Sequence, residues 1–343
     1  MPAPHRPVDV DRPVAMAGLP EAEPAADAAD PLPGPDPAAD RAGHTADPHT
    51  ADGHTADGHS ADPQAPEPPD SEPPTPALPA LALRDGLPPI TATPQDLADV
   101  VARIAAGTGP IAIDTERASG YRYGQRAYLI QLRRHGAGSA LVDPIDIPGL
   151  PGLAQALAGP EWILHAASQD LPCLAELDLR PAAVFDTELA GRLLGMPRVG
   201  LGPMVADVLG TSLAKGHGAA DWSRRPLPQA WLEYAALDVE VLIELRTELH
   251  RRLVTAGKWE WAQQEFAAVR DAAPPPPRVD PWRRTSGIHR LRSRRALCIV
   301  EHLWYARDRV AAEVDIAPGR LLPDSSLLAA GQAQVRDGSS LRA

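Results

Sequence analysis

Cysteine is almost absent: Cys173 and Cys298 are the whole complement of the 343 residues, far apart and in no metal-ligand spacing. That excludes a disulfide framework and a thiolate zinc site, and predicts two buried apolar thiols in a reducing compartment. Aromatic residues make up 4% of the chain against 40 prolines, so part of it lacks the means to build a core. No run approaches the roughly 18 apolar residues of a membrane helix. The start, Met1-Pro2-Ala3-Pro4-His5-Arg6, has no apolar core of a signal peptide. A soluble, cytoplasmic protein is the expectation.

Lysine is missing from the first 88 residues, which carry 16 Asp and Glu against four Arg, a net of −12. The remainder is neutral overall and can still present basic patches to a nucleic acid. Residues 1–87, rich in Pro, Ala and Asp, cannot offset the entropy of ordering and are expected to form a disordered acidic tail. Within it a five-residue unit recurs four times, beginning at His44, His49, His54 and His59. A Gly- and Pro-broken repeat offers no preorganised geometry, which favours a low-complexity spacer over a metal site.

Order is expected from Pro89-Ile90 onward. Thr93-Pro94-Gln95-Asp96 reads as a helix start, and Leu97, Val100, Val101 and Ile104 then recur at helical spacing. Ile111-Ala112-Ile113-Asp114-Thr115-Glu116 follows as a strand ending in two acids. Alternation puts Asp114 and Glu116 on one face, with Ile111 and Ile113 on the other. Two like charges that close call for a proton or a cation, or else mark a solvated loop start. Strands at 127–132 and 139–142 complete an antiparallel meander. Then come a helix at 150–157, a strand at 162–165, a helix at 168–177, a strand at 184–187 and a helix at 188–194. That alternation predicts an α/β layer architecture.

A polar region, 215–228, precedes one long helix expected from Pro228 to Ala256. Its buried stripe is Trp231, Tyr234, Asp238, Leu242, Leu245 and Leu249, so Asp238 needs an Arg partner, a capping role or a metal. Asp170 falls in the first turn after the strand ending at His165, where the helix dipole favours an acid in any case. His165 itself suits a satisfied core histidine. Residues 271–281 form a Pro-rich linker and a domain boundary, separating 88–270 from 282–343. Beyond it Arg283, Arg284, His289, Arg290, Arg292, Arg294 and Arg295 suit phosphate contact or a solvated basic face. A helix at 296–312 is expected to bury Ile299, Leu303, Ala306 and Val310. A short helix at 325–330 follows, and 331–343 should fray.

Asp114, Glu116, Asp170 and Asp238, with Tyr234 four residues before the last, resemble the DEDDy 3′→5′ exonucleases, and among them the ribonuclease D family. The motifs are Ile111 to Glu116, His165 to Asp170 and Tyr234 to Asp238, supported by Phe185-Asp186-Thr187 and by Asp221-Trp222-Ser223-Arg224-Arg225-Pro226-Leu227. Resemblance spans residues 88–268. It implies a ribonuclease-H-like mixed sheet flanked by helices and two divalent cations, Mg²⁺ or Mn²⁺. Such hard ions take oxygen ligands and, about 4 Å apart, can stabilise both oxygens of an in-line displacement at phosphorus.

By similarity Asp114 would bridge both ions, Glu116 and Asp238 would complete one, and Asp170 would hold the other through water. Tyr234 would orient the attacking water; Glu233 stands where the sister class has a His. Residues from 282 resemble the start of a helicase-and-RNase-D C-terminal (HRDC) module that looks truncated. The implied activity is removal of nucleoside 5′-monophosphates from RNA 3′ ends, such as those of transfer RNA precursors. A DNA exonuclease and a catalytically silent nucleic-acid-binding module are the competing readings.

Overall fold

The computed structural model describes residues 78–214 and 216–339. The His-starting repeat and residues 1–77 of the expected tail lie outside the described residues, as do Lys215 and 340–343. Residues 78–87, expected to belong to that tail, are packed. Ala80 bridges Ser212, Arg84 reaches Glu240, and Leu81, Leu83 and Leu87 lean on the core.

Strand β1 (Ile90–Thr91) leads to helix α1 (Pro94–Ala106). Thr93 caps α1, its Oγ1 accepting the Asp96 N–H at 3.2 Å, and Leu97, Val100 and Ile104 are its buried face. The meander follows as β2 (Thr108–Arg117), β3 (Ala127–His135) and β4 (Gly138–Val142). Next come α2 (Leu153–Leu157), β5 (Trp162–Leu164), α3 (Leu171–Ala175), β6 (Val184–Asp186), α4 (Thr187–Leu193) and α5 (Leu201–Leu209). The helix expected at 168–177 is a 3₁₀ turn, Ala167–Gln169, then the short α3, with Asp170 between them. Pro172 in the first turn of α3 lacks the N–H that would let the two segments join as one helix.

Among the described residues the sheet has the order β1-β4-β3-β2-β5-β6. β2, β3 and β4 pair antiparallel, while β5 runs parallel to β2 and β6 parallel to β5. Ile111, Ile113, Ile130 and Leu132 face α1, α2 and α3. Ala112, Ile163 and Phe185 face the opposite layer, which includes α6 (Gln229–Glu240), α7 (Leu242–Thr255) and α8 (Trp259–Arg270). Burial on both faces explains why these strands read as continuous apolar runs.

The single long helix expected at 228–256 is broken at Val241 into α6 and α7. Neither Gly nor Pro marks the break, because tertiary packing imposes it: Val241 and Leu242 are each buried in the same apolar layer. Along the expected stripe, Asp238, Leu242, Leu245 and Leu249 are buried, whereas Trp231 and Tyr234 are half-buried.

The loop from Gly210 to Pro228 is anchored by Arg225, whose Nε and Nη2 meet both oxygens of Asp143 at 2.5 and 2.7 Å. Nη2 also donates to the Tyr128 carbonyl, and Nη1 to that of Trp222. Asp143 is 3% exposed, so removing its partner strands a buried charge. Arg225→Ala should cost about 3 kcal/mol in urea unfolding, the lower end for a broken buried pair because the arginine is partly wet.

Residues 281–339 form helices α9 (Arg294–Val314), α10 (Pro318–Leu321) and α11 (Asp324–Ala333) around Leu291, Ala296, Val300, Leu327 and Leu328. The expected α9 stripe is displaced: Ala306 and Val310 are exposed, and Ala296, Val300, Arg307 and Ala311 are buried. Arg307 earns that position by donating to the Leu322 carbonyl and pairing with Asp324 at 2.7 Å. α11 runs to Ala333, beyond the point where fraying was expected. Gly331 lets it approach α9, since a Cβ there would lie 3.1 Å from the Ala296 carbonyl. Cys173 is buried as expected, but Cys298 is exposed on α9. No helix among the described residues is long and apolar enough to cross a membrane.

Candidate metal centre

β2 outruns its neighbour on one side. β5 pairs with it only at Ile111 and Ala112, so the segment from Asp114 to Arg117 is free on that flank. Into the gap turns the chain leaving β5, which makes a left-handed residue at Ala166 and then the 3₁₀ turn that ends at Asp170. Asp186 holds this turn in place. Its carboxylate accepts the N–H groups of Ala166 and Ala167 at 3.2 and 2.8 Å while capping α4 through Glu188 and Leu189. The local strain at Ala166 is therefore offset by two charge-assisted hydrogen bonds.

Strand alternation now places the acids. Asp114 and Glu116 share the face of Ala112 and look toward α6, where Asp238 and Tyr234 lie one turn apart. Oxygens of Asp114, Glu116 and Asp238 lie within 4.8 Å of one another. Thr115 points the other way and donates its hydroxyl to Asp170 Oδ1 at 2.6 Å. Asp170 thus lines the same cavity of about 590 Å³ without joining the tight triad. Of the residues expected from sequence, Asp114, Glu116, Asp170, Tyr234 and Asp238 all line this one cavity, and His165 does too.

The electrostatics are those of crowded, poorly hydrated acids. Burial, then Asp170, Asp238 and Glu116, hold the Asp114 carboxyl well above its ordinary value. Glu116 is pushed up to about 9 by burial and by Asp238, Asp238 to about 7 by burial, and Asp170 to about 6 by burial, against the pull of Thr115. Burial, with Asp238, Glu116 and Asp114 nearby, raises the Tyr234 phenol above its ordinary value. Arg117, held to Gln169 at 3.3 Å, is the cation that lines this cavity among the described residues.

A set of hard oxygen donors with too little positive charge fits divalent cations of the Mg²⁺ and Mn²⁺ type. Gln131 adds to the fit. It pairs with Asp114 across β2 and β3, is fully buried, and leaves both amide atoms without a protein partner. A buried orphan amide calls for a water or ion nearby.

Several contributors were not assigned from sequence. Thr115 and Asp186 act on the acids only through tertiary contacts, although Asp186 stood in a motif already noted. His165 is oriented rather than idle: Thr187 donates its one proton to the Leu164 carbonyl, so His165 Nδ1 must be the donor to Thr187 Oγ1 at 2.9 Å. Burial lowers its pKa, keeping the ring neutral.

Residues 89–254 match the family of 3′-5′ exonuclease domains. Ribonuclease D of Gluconacetobacter diazotrophicus is 35% identical over 250 residues, 70% of this chain and 62% of that protein. Ribonuclease D of Granulibacter bethesdensis is 32% identical over 67% of this chain and 59% of its own length. The chain therefore spans about three fifths of the curated relatives it matches. Among solved structures, a protein from Bifidobacterium adolescentis superposes with TM-score 0.74 at 42% identity, covering 77% of this chain and 66% of that one. Escherichia coli RNase D, described as an exoribonuclease involved in structured RNA processing, gives TM-score 0.57 at 28% identity over 74% of this chain and 71% of its own.

Proposed function

We propose that the chain is a ribonuclease D-like enzyme, a metal-dependent exoribonuclease that releases nucleoside 5′-monophosphates from RNA 3′ ends; its match to 3′-5′ exonuclease domains over residues 89–254 and its likeness to ribonuclease D proteins support this reading. The observation that carries this reading is the convergence of Asp114, Glu116 and Asp238, from a strand and a helix distant in sequence, on one point beside Asp170 and Tyr234. Three buried acids, Glu116, Asp170 and Asp238, crowded with the half-buried Asp114, would be a costly accident unless they served a cation.

Asp114, Glu116 and Asp238 would hold one divalent ion, with Asp114 shared by a second on the side of Asp170. Bound there, the ions supply Lewis-acid stabilisation of the attacking and leaving oxygens. The protein's own groups do the rest. Thr115 fixes the rotamer of Asp170, and Arg117 offers positive charge to a substrate phosphate. Tyr234, protonated at neutral pH, orients a water by hydrogen bonding instead of abstracting its proton. Residues 282–339, a partial HRDC-like piece, carry exposed Arg283, Arg284, Arg290, Arg292, Arg294 and Arg295 and would meet the RNA backbone.

Tyr234→Phe should lower kcat about 10²-fold, as misplacement of a reacting group does, and leave Mn²⁺ affinity within about twofold. Steady-state kinetics and calorimetry separate the two effects. The proposal itself is tested with 5′-labelled RNA and matched DNA, with Mn²⁺ or chelator. A ladder shortening by single nucleotides from the 3′ end of RNA, abolished by chelator, is expected. Absence of shortening on RNA would overturn it, and shortening of DNA alone would reassign the substrate.

A further inference from the structure

The segment 78–87 precedes the matched residues 89–254, yet it touches the catalytic layer at separate points. Ala80 bridges Ser212, with the Leu81 N–H on the Ser212 carbonyl at 2.9 Å and the Ser212 N–H on Pro79 at 2.8 Å. Leu213 and Ala214, immediately after Ser212, line the cavity of the acids. Arg84 then pairs with Glu240 at 3.3 Å and with Glu244, and Asp85 meets Arg133 at 3.3 Å. Arg133 in turn pairs with Glu240 at 3.0 Å and donates to Ser139 at 2.9 Å. Glu240 is 1% exposed and Arg133 8%, so this centre of the network is buried.

Glu240 is two residues from Asp238. At about 100° per residue, two positions apart on a helix lie on opposite flanks, with Val239 between them against the sheet. Asp238 and Tyr234 occupy one flank of α6, toward the acids, and Glu240 the other, toward Arg133. A rotation of α6 about its axis would swing Asp238 away from Asp114 and Glu116. At the middle of α6 the side chains against the sheet, Ala235 and Ala236, are small, so the ion pairs of Glu240 add to the hold that Val239 provides at its end. The break at Val241 also uncouples α6 from the longer, well-packed α7 at the point where a pin is needed.

We infer that Arg84 and Asp85 are positioning residues for Asp238: through Glu240 and Arg133 they fix the rotation of α6 and so the geometry of the metal site. The inference rests on the metal-binding reading above. It gives an activity-setting role to a stretch that precedes the residues matching the exonuclease family. The larger cavity beside this segment, about 880 Å³, is lined by Arg84, Arg103, Arg133 and Arg134, all engaged with carboxylates or backbone carbonyls. It is the network's own solvent margin.

The test compares the full chain with Arg84→Ala/Asp85→Ala, both side chains being more than a third exposed so that folding is expected to survive. Mn²⁺ affinity is read by calorimetry, with kcat and KM on RNA alongside. A positioning role raises the Mn²⁺ Kd about 10-fold, as loss of a residue supporting a metal ligand does, and lowers kcat with KM for RNA within about twofold. Arg84→Lys, which keeps the charge on Glu240, restores most of the affinity. If the double variant does not fold, Arg84→Ala alone, which leaves Arg133 on Glu240, gives the same reading at about threefold. Unchanged Mn²⁺ affinity in a folded variant overturns the inference. Because calorimetry needs no RNA, failure of the exoribonuclease reading would leave wild-type RNA intact while the Mn²⁺ comparison still decides this point.

Discussion

Asp114→Asn should abolish RNA shortening, by at least about 10³-fold, and at the same time make the metal-free protein more heat-stable. The first effect follows from removing the carboxylate central to the site, since several kcal/mol of transition-state stabilisation convert at 1.36 kcal/mol per decade. The second follows from the electrostatics of the metal-free state. Asp114 sits beside Glu116, Asp170 and Asp238 in poorly hydrated surroundings, so its charge, or the proton it must take up, is a burden on the fold. An isosteric amide removes that burden without a cavity. Thermal melting in chelator should show a rise of a few degrees, for a gain of about 1 kcal/mol. The rise of Tm that Mn²⁺ gives the wild type should shrink in the variant. A fall in metal-free Tm would mean that Asp114 is structurally paired and not held for a ligand.

The metal-free protein should also lose stability as pH rises from about 5 to 9, opposite to the usual behaviour of a protein held by ionised carboxylates. The sign follows from proton counts. Asp170, Asp238 and Glu116 titrate near 6, 7 and 9 in the folded chain, above the ordinary carboxylate range, and Asp114 is likewise raised. Between the unfolded values near 4 and these folded values, the native state holds more protons than the unfolded one. Each excess proton costs about 1.4 kcal/mol of stability per pH unit. These carboxyls share the cost, so the fall is expected to be several degrees in Tm between pH 5 and 8. Saturating Mn²⁺ should remove or reverse the trend, because the ion competes with those protons and binds more tightly as they leave. Melting curves at stepped pH, in chelator and in Mn²⁺, check both halves. A metal-free Tm that climbs with pH would contradict the assigned crowding.

Much of this site could be read from the chain because its signals are local. Asp114 and Glu116 had to share a face once Ile111 and Ile113 shared the other, and Tyr234 and Asp238 had to lie one turn apart on any helix. What could not be read depends on groups that meet only in the folded state. Thr115 faces away from the acids and still steers Asp170, because β2 outruns β5. The break at Val241 leaves no Gly or Pro, and the buried face of α9 was misplaced because Arg307, a charged letter, is buried by its partner Asp324. Residues 78–87 were lost in the composition of the acidic stretch before them. Three leucines spaced along an extended segment give little periodicity, and the ion pairs that tie down Arg84 and Asp85 have partners far away in sequence.

The central claim is that Asp114, Glu116, Asp170 and Asp238 exist to bind divalent cations. Anomalous diffraction at the manganese edge, from crystals of the full chain soaked in Mn²⁺, tests it most directly. The account predicts strong peaks in the cavity between β2 and α6, in contact with Asp114 and with Glu116 and Asp238, lost in crystals of Asp114→Asn. Crystals that take up Mn²⁺ elsewhere, or show these carboxylates bound only to water at saturating metal, would contradict it.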